Sequence, residues 1–352
     1  VMDILGRTRP NGADIDMGAY EYYTGDDVDA ISSPPVLYVN AASSAETPDG
    51  LSWGSAFTTL QKAADKAGYG TEIWVAFGSY VSNTGQEVVQ LYPGVSVYGG
   101  FSGIETTREQ RNWIINKTII DGQDTRRCVT SFFNNTLDGF TLYRGNLTYG
   151  GGMFSGNAVH CNFLSNTASL GGGMHGGTAQ NCIFSQNVSE KNGGGIWGGT
   201  VTNCTFSGNT APLSGGEYGS AAGGISETTA VNCIIWGNMP DDIFGSNIMY
   251  CCLPNPSFSE TSIGSDPKFV NPWIGDFRLQ ADSACINSGT NSGAPTDDIF
   301  GRMRPQGTGI DMGAYEFYTD DDTNTTDTPP VLYVNSMSTA QNPNGLSWAD
   351  AF

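Results

Sequence analysis

A short repeat inside this chain constrains its fold more than any other feature of the sequence. Four glycine motifs recur at nearly regular intervals, starting at Gly150, Gly171, Gly193 and Ala222. A cysteine, a large apolar residue two positions later and an asparagine three positions after that recur at the same intervals. They are Cys161, Cys182, Cys204 and Cys233; Phe163, Phe184, Phe206 and Ile235; and Asn166, Asn187, Asn209 and Asn238. Positions kept in register through four repeats indicate one recurring structural unit. The last interval is the longest, and we expect its extra segment, near 213–221, to form a loop.

A period of about 22 residues with no helical segment is typical of a three-sided parallel β-helix. Three strands of about five residues and three turns fill this length, and each coil stacks on the last at about 4.8 Å. The cysteine and the apolar residue lie two apart on a strand, so both side chains point to the interior. Asparagine and glycine mark corners, where left-handed backbone is needed and stacked amides can bond to one another. The sequence therefore predicts an all-β solenoid.

The first coil needs a cap, because an open end exposes unpaired strand edges. Residues 53–67, followed by Gly68, space Phe57, Leu60 and Ala64 along one face of a helix. We therefore predict an N-terminal capping helix across the first coil.

A second, longer repeat organises the whole chain. Gly6 and Gly301, like Trp53 and Trp348, lie 295 residues apart, and 34 of the 57 overlapping residues are identical without a gap. This recurrence predicts a segment of a longer tandem array. Its parts are the end of a preceding module (1–23), an acidic linker closed by Pro-Pro (24–35), one complete module (36–318), a second such linker (319–330) and the start of the next module (331–352). Linkers of this composition favour extended spacers.

The charge balance and the distribution of apolar residues exclude two kinds of function. Fifteen Lys and Arg against 35 Asp and Glu give a net charge of −20, which leaves no basic surface for phosphate contacts. Nucleic-acid binding is excluded on this ground. No run of 18 apolar residues occurs, so no membrane span is predicted in this segment.

Catalytic side chains are sparse in the regular coils. Between residues 142 and 240 the charged residues are Arg144, Glu190, Lys191, Glu217 and Glu227. A glycoside hydrolase needs paired carboxylates, and a calcium-dependent lyase needs several carboxylates with a base. The sequence therefore predicts no catalytic residues. A polysaccharide lyase or a glycoside hydrolase is the alternative.

The two histidines and the basic residues near the end of the module have structural interpretations. His160 takes the place that Asn181, Asn203 and Asn232 take in later coils, which predicts a stacked polar corner residue. His175 lies beside glycines and is expected in a surface turn. An ion pair of Arg302 or Arg304 with Asp311 or Glu316 is expected to brace the closing segment, with a carbohydrate subsite as the alternative.

The eight cysteines divide into two groups. In the repeating group, stacked cysteines would have parallel Cα–Cβ bonds and Cβ separations beyond the roughly 3.5–4.5 Å of a disulfide. Buried free thiols are predicted there. The sequence is compatible with one disulfide among Cys128, Cys251, Cys252 and Cys285, and it does not indicate which two would pair.

The acidic runs in the linkers are candidate ligands for Ca²⁺. Neither Asp26, Asp27 and Asp29 nor the run 320–322 has the spacing of a calcium loop. We predict solvated spacers, no metal site and no cofactor, with Ca²⁺ binding as the weaker alternative.

Motifs distributed over the module resemble a known group of proteins. They are Leu37–Asn40, Gly50–Trp53, Ala56–Phe57, Leu60–Gln61, Ile73–Val75, Gly78–Tyr80, Tyr98–Phe101, Gln110–Trp113, Leu137–Phe140, the glycine motifs of the coils, Phe277–Leu279 and Asp311–Glu316. In combination they resemble bacterial secreted parallel β-helix proteins, the pectate-lyase-like and polymorphic-outer-membrane-protein-like modules of tandem surface proteins. The resemblance implies a right-handed β-helix, an extracellular or cell-surface location and adhesive or structural roles. It implies no activity, since this solenoid carries lyases, hydrolases and inert spacers alike.

These observations predict a non-enzymatic extracellular structural protein whose tandem modules form or decorate a filament or a long surface adhesin. The partners would be neighbouring modules, joined end to end or by strand addition. The strands expected to add are Val36, Leu37, Tyr38, Val39 and Asn40, and Val331, Leu332, Tyr333, Val334 and Asn335. The alternative is a polysaccharide-processing enzyme or a glycan-binding module, with Trp197, Trp236 and Tyr218 as candidate glycan contacts.

Overall fold

The structure, a computed structural model, describes residues 35–132, 134–212 and 221–319. The predictions for the preceding module, most of both linkers, the loop at 213–220 and the strand from Val331 to Asn335 lie outside the described residues. In the described residues no helix is long and apolar enough to cross a membrane.

Three parallel sheets form the faces of a β-helix, and the chain visits them in the order A, B, C in each regular coil. Sheet A has nine strands: Val36–Val39, Glu72–Ala76, Ser96–Phe101, Thr136–Asp138, Asn157–Val159, Thr178–Gln180, Thr200–Thr202, Thr229–Val231 and Asn247–Met249. Sheet B has seven: Gly78–Tyr80, Thr118–Asp121, Phe140–Tyr143, Asn162–Leu164, Ile183–Ser185, Thr205–Ser207 and Ile234–Trp236. Sheet C also has seven: Glu87–Gln90, Arg127–Thr130, Met153–Phe154, Met174–His175, Ile196–Trp197, Ala222–Ser226 and Asp241–Phe244. A short parallel pair, Thr167–Leu170 and Val188–Asn192, adds a local ladder between sheets B and C.

The register of the strands follows the repeat in the sequence. Phe163 pairs with Phe184, Phe184 with Phe206 and Phe206 with Ile235, so each step along sheet B advances the chain by one repeat. Successive strands of one sheet are parallel, which requires a full turn of chain between them. The prediction of an all-β, three-sided, right-handed parallel β-helix is confirmed.

One continuous apolar core fills the interior of the coils. Phe163, Phe184 and Phe206 are fully buried and stack with ring centroids 4.3 and 4.5 Å apart, nearly face to face. This spacing is close to the distance between neighbouring strands, so the sheet geometry itself sets the aromatic stacking.

The glycine motifs pass where neighbouring coils come close together. A Cβ on Gly172 would lie 2.3 Å from the carbonyl oxygen of Val188 and 2.6 Å from that of Gly194. Any larger residue would therefore force the stacked coils apart, which explains why glycine recurs there.

The predicted capping helix is shorter than expected. The α-helix covers Leu60–Lys66, while Trp53–Ser55 is a 3₁₀-helix. The expected start at Trp53 was wrong because Phe57 forms a parallel bridge to Val39, and Thr59 then caps the helix by accepting a hydrogen bond from the Lys62 N–H. Leu60 and the two alanines at 63 and 64 complete the core of the first coil.

The outer edge of the first strand of sheet A is already closed. The Tyr38 N–H donates to the Gly50 carbonyl at 2.8 Å, and the Tyr38 carbonyl accepts from the Phe57 N–H at 2.9 Å. The Asn40 N–H donates to the Phe57 carbonyl at 2.8 Å. Strand addition along Val36–Val39 would have to displace these bonds.

After the last coil the chain runs back along the outer face of sheet B. Residues 264–319, here called the C-terminal strap, contain an antiparallel pair of strands, Phe269–Asn271 and Asp276–Leu279. A second apolar cluster joins the strap to the outward side chains of Ile183 and Ile234. The strap also uses the backbone: the Ala314 N–H donates to the Thr205 hydroxyl at 3.0 Å. Three further 3₁₀-helices are Arg108–Gln110, Pro256–Phe258 and Pro272–Ile274.

Candidate functional site

The repeating asparagines form a hydrogen-bonded column along the helix axis. The side-chain oxygen of Asn187 accepts from the backbone N–H of Asn166 at 3.0 Å and from its side-chain amide at 2.9 Å. The same pair of bonds joins Asn187 to Asn209 and Asn209 to Asn238. These asparagines are buried, so each amide satisfies polar groups that water cannot reach.

A carboxylate ends this column. Asp242 accepts from the backbone N–H and the side-chain amide of Asn238, at 3.0 and 2.7 Å. Burial raises the pKa of Asp242 to about 6, against the lowering effect of the two hydrogen bonds. Every amide in the column therefore donates toward the end at which Asp242 lies.

The repeating cysteines form a second internal column. The Cys161 N–H donates to the Cys182 sulfur at 3.4 Å, and the same contact links Cys182 to Cys204 and Cys204 to Cys233. The Cys233 N–H donates in turn to the Cys251 sulfur at 3.3 Å, so Cys251 is a fifth member that the sequence analysis missed. All five thiols are fully buried.

The corner between sheets A and B has a different role from these internal columns. His160, Asn181, Asn203 and Asn232 occupy equivalent corners, with φ between 49° and 55°. Their side chains point outward and hold the strap. Asn181 donates to the Asp297 carbonyl at 3.0 Å, Asn203 to the Asp311 carbonyl at 2.9 Å, and Asn232 to the Thr290 carbonyl at 2.8 Å.

His160 is the most strongly perturbed member of this corner. Its Nδ1 lies 3.0 Å from Asp138, on sheet A, and its Nε2 lies 3.2 Å from Asp297, on the strap. Burial alone would lower the pKa of His160, but the hydrogen bonds and charges of the two carboxylates raise it to about 9. Arg111 pairs with Asp138 at 2.7 Å, and together with His160 it holds the pKa of Asp138 below its usual value despite burial.

Aromatic contacts fix the same group of residues. The His160 ring stacks on Trp113 with centroids 4.9 Å apart, and the Arg111 guanidinium lies 4.5 Å from the Trp113 ring. Trp113 donates its indole N–H to the Ile299 carbonyl of the strap at 2.9 Å. The whole cluster thus binds the strap to the coils.

Buried ion pairs brace the strap internally. Arg304 and Glu316 are 0 % and 1 % exposed and lie 2.8 Å apart. Arg302 pairs with Asp298 at 2.8 Å and donates to the Glu316 carbonyl. The expected ion pair is therefore the one between Arg304 and Glu316. Arg302 also pairs with Asp298, which lies four residues before it.

A groove of about 270 Å³ opens between sheet B and the strap. Trp113, His160 and Lys117 line one side, and Trp273 and Tyr315 line the other. No Asp or Glu is among the described residues that line it. Burial lowers the pKa of Lys117 to about 8. The groove therefore offers aromatic surfaces and a cation, without a carboxylate to act as an acid or a metal ligand.

The aromatic residues proposed as glycan contacts lie elsewhere. Trp197, one of these residues, stacks on the ring of His175 with centroids 4.7 Å apart, and Phe154 stacks on the same histidine at 5.3 Å. His175 itself is in a strand rather than in the expected surface turn. Trp236 packs against the apolar cluster under the strap, and Tyr218 lies outside the described residues. The exposed tryptophan of the groove, Trp273, is 92 % exposed and was not singled out by sequence.

The arrangement around His160 ties the strap to the coils. Both ring nitrogens face carboxylates, and the side chain is 6 % exposed, so neither nitrogen is free for a substrate proton. In residues 35–132, 134–212 and 221–319 no group of three or more His, Cys, Asp or Glu side chains is arranged to hold a metal ion.

Comparisons with known proteins give a likeness of structure but not of sequence family. No protein-family model and no curated protein matches this sequence. Among solved structures, the chain is similar to the crystal structure of the pectate lyase Pel9A, with 13 % sequence identity and a TM-score of 0.42. The likeness covers 83 % of this chain and 98 % of the pectate lyase.

Proposed function

We propose that this chain is a non-enzymatic extracellular structural protein, whose β-helix modules are joined in tandem in a filament or a long surface adhesin. The observation that carries this proposal is the pairing of titratable groups where the strap meets the coils. His160 and Arg111 balance the charges of Asp138 and Asp297 there. These pairs stabilise a docked segment, and both ring nitrogens of His160 are engaged by carboxylates rather than presented to a substrate.

The hydrogen bonds inside the coils support the structural part of this proposal. The asparagine and cysteine columns connect every coil from Cys161 to Cys251 with hydrogen bonds parallel to the axis. Because each coil repeats the same contacts, stability is distributed along the solenoid rather than concentrated at one point. A rod built in this way suits a spacer that holds other parts of a long protein away from a surface.

The hydrogen bonds of the first strand favour one mode of assembly over the other. Since Tyr38 and Asn40 already bond to Gly50 and Phe57, we favour end-to-end joining through the linkers over strand addition at Val36–Val39. The net charge of −20 would keep parallel arrays apart at low ionic strength.

Two measurements on the intact chain test the proposal. Sedimentation velocity and negative-stain microscopy over a range of concentrations are expected to show rods that join lengthwise; isolated monomers at the highest concentration would overturn the filament part. Incubation with a panel of acidic and neutral polysaccharides, with and without Ca²⁺, is expected to release neither unsaturated products nor reducing ends. Release of either would overturn the non-enzymatic part.

A second candidate, a polysaccharide-binding or polysaccharide-processing groove, is favoured by Trp273 and Lys117. An exposed tryptophan can stack on a sugar ring, and an amine whose pKa lies near neutrality can act as a base. A glycan array would compare the protein with Trp273→Ala, and a release assay would compare it with Lys117→Met. Loss of binding in the first variant, or of activity in the second, would support this candidate; no binding by the unaltered chain would dismiss it.

A further inference from the structure

Two adjacent cysteines near the last coil point in opposite directions. Cys251 faces inward as the last member of the cysteine column. Cys252 bridges to Ile234 on one side and to Ile263 on the other, in an extended segment. Because neighbouring residues of an extended segment project to opposite faces, Cys252 faces outward into the apolar cluster under the strap.

Cys285 reaches the same cluster from the strap. Its carbonyl accepts from the Met312 N–H at 3.0 Å, and its own N–H donates to the Ser283 hydroxyl at 3.2 Å, which fixes the turn that carries it. Both Cys252 and Cys285 are fully buried in this cluster. The pKa of Cys252 is raised far above its usual value, first by a hydrogen bond to the Cys285 thiol and then by burial. The two thiols are thus neighbours across the junction between coils and strap.

We propose that Cys252 and Cys285 form a disulfide that fastens the strap covalently to the last coil. Nothing in the sequence alone selects this pair among the four cysteines outside the repeat. The bond would close a loop that runs from Cys252 to Cys285 and contains the strands Phe269–Asn271 and Asp276–Leu279.

The chemistry is a two-electron exchange with a small disulfide such as oxidised glutathione. The thiolate of one cysteine attacks a glutathione sulfur, forms a mixed disulfide and releases one glutathione thiolate. The second cysteine then attacks the protein sulfur of the mixed disulfide and expels the second glutathione thiolate. Two protein thiols are oxidised and one glutathione disulfide is reduced. The two protons lost by the protein thiols pass through the solvent to the two glutathione thiolates, which become two glutathiones. The exchange takes place before the strap docks, because docking buries both sulfurs.

The cysteine column provides the internal contrast. Its thiols also neighbour one another, but they lie on stacked coils of one solenoid. The four sulfurs after that of Cys161 each accept a backbone N–H from the preceding cysteine at 3.3–3.4 Å. A disulfide there would have to draw two coils closer than the sheet spacing of about 4.8 Å allows. Cys252 and Cys285 belong to different layers, the coils and the strap, so the spacing between strands of one sheet does not hold their sulfurs apart.

Refolding the full chain in a buffer of reduced and oxidised glutathione tests the proposal without any assumption about its cellular location. We expect free thiols, titrated under denaturing conditions, to fall from eight to six, and peptide mapping to find Cys252 joined to Cys285. Trypsin provides a second readout, because Lys268 lies between the two cysteines and is partly exposed. The products of cleavage there should stay together on a denaturing gel and separate after reduction.

Single variants distinguish this pair from the other cysteines. Cys285→Ala should keep seven free thiols after oxidation, and its fragments should separate without reduction. Cys204→Ala is the matched control, and its free thiols should fall from seven to five with the same crosslinked peptide. Eight free thiols in the oxidised full chain, or a crosslink between members of the cysteine column, would overturn the proposal. Because mapping is done on the unaltered chain, a variant that fails to fold does not remove the test.

Discussion

The coils and the strap satisfy their buried polar groups in opposite ways. Residues 142–240 carry five charged side chains, whereas residues 264–319 carry eleven. In the coils a buried backbone group bonds to the equivalent group one repeat away, or to a neutral amide such as Asn187. The strap has no repeat of itself beside it, so it uses charged groups such as Arg304 and Glu316.

Because of this difference, we expect substitutions to destabilise the two regions in different ways. A repeated, neutral ladder distributes its energy over many similar contacts, so changes in the coils are expected to act on the solenoid as a whole. A buried ion pair concentrates energy in a few atoms, and removing one partner leaves an uncompensated charge. The strap should therefore open locally while the coils stay folded.

Replacement of Arg304 should have the largest effect. Arg304 donates to Glu316 and to the carbonyls of Asp297, Asp311 and Gly313, so Arg304→Met leaves a buried carboxylate without its cation. We expect the strap to lose about 3–5 kcal/mol of stability against local opening. Hydrogen exchange of the Met312 N–H should accelerate at least 100-fold, while that of the Cys182 N–H should change little.

Lys268→Met supplies the control for that prediction, since Lys268 and Asp282 form an exposed pair. Little change is expected in either region. Equal acceleration of hydrogen exchange in strap and coil amides of Arg304→Met would show that the two regions unfold together. That result would contradict the expected local opening of the strap.

Removal of one amide from the asparagine column should have the next largest effect. Asn209→Ala takes away the acceptor of both the Asn187 N–H and its side-chain amide, and the donor to the Phe184 carbonyl. Because these groups are buried, we expect a loss of about 3 kcal/mol in the free energy of unfolding, measured by urea denaturation. Gln180→Ala, at an exposed position, should change it little. A similar loss in both variants would indicate that the column itself contributes little.

The attachment of strap to coils should weaken at alkaline pH. The pKa of His160 is about 9 in the folded protein, above its ordinary value of 6.5, because the hydrogen bonds and charges of Asp138 and Asp297 outweigh the lowering effect of burial. Arg111, the other charged group of this cluster, pairs with Asp138. The contribution of His160 is therefore fully present below about pH 6.5 and is lost as the pH rises through 9, with a size on the order of 2 kcal/mol. Strap amide exchange, corrected for the intrinsic rate at each pH, reports this change.

His160→Asn gives the comparison that isolates this effect, since asparagine occupies the equivalent corner in later coils. The difference in strap stability between the protein and this variant should shrink between pH 6.5 and 9. Lys117, whose pKa is lowered to about 8, titrates in the unaltered protein and in the variant alike. Its contribution therefore cancels when the two stabilities are subtracted. A difference that does not vary with pH would contradict the assigned charge of His160.

The smallest effect is expected in the cysteine column. Cys204→Ala removes a small apolar sulfur and one weak acceptor for the Cys182 N–H. We expect a loss of about 1 kcal/mol by urea denaturation. A loss as large as that of Asn209→Ala would show that thiol hydrogen bonds, and not only amide ones, hold the coils together.

The sequence specified the coils better than the strap, for physical reasons. In the coils, contacts join residues one period apart, so spacing alone places Phe163 over Phe184. Cys251 escaped notice because it follows Cys233 by a shorter interval than any of the others, which broke the spacing. The helix was expected to begin too early because an apolar residue such as Phe57 fits the face of a helix and the edge of a sheet equally well.

The site around His160 could be predicted only in part. The recurrence of asparagine at its position indicated a polar corner, but nothing local indicated its partner Asp297, which lies far along the chain in the strap. The groove depends on the same distant placement, since Trp113 and Trp273 become neighbours only when the strap docks. Contacts of this kind have no period, and no motif in either segment indicates them.

The column that ends at Asp242 gives the solenoid an electrical direction. From Asn166 to Asn209 each side-chain amide presents its oxygen to the preceding coil and donates one of its two hydrogens to the asparagine of the next coil, so the dipoles of these contacts add rather than cancel. The negative carboxylate lies at the positive end of this sum, as an acidic side chain does at the start of an α-helix. Rods placed head to tail would continue the same polarity, whereas rods lying side by side in opposite senses would neutralise it.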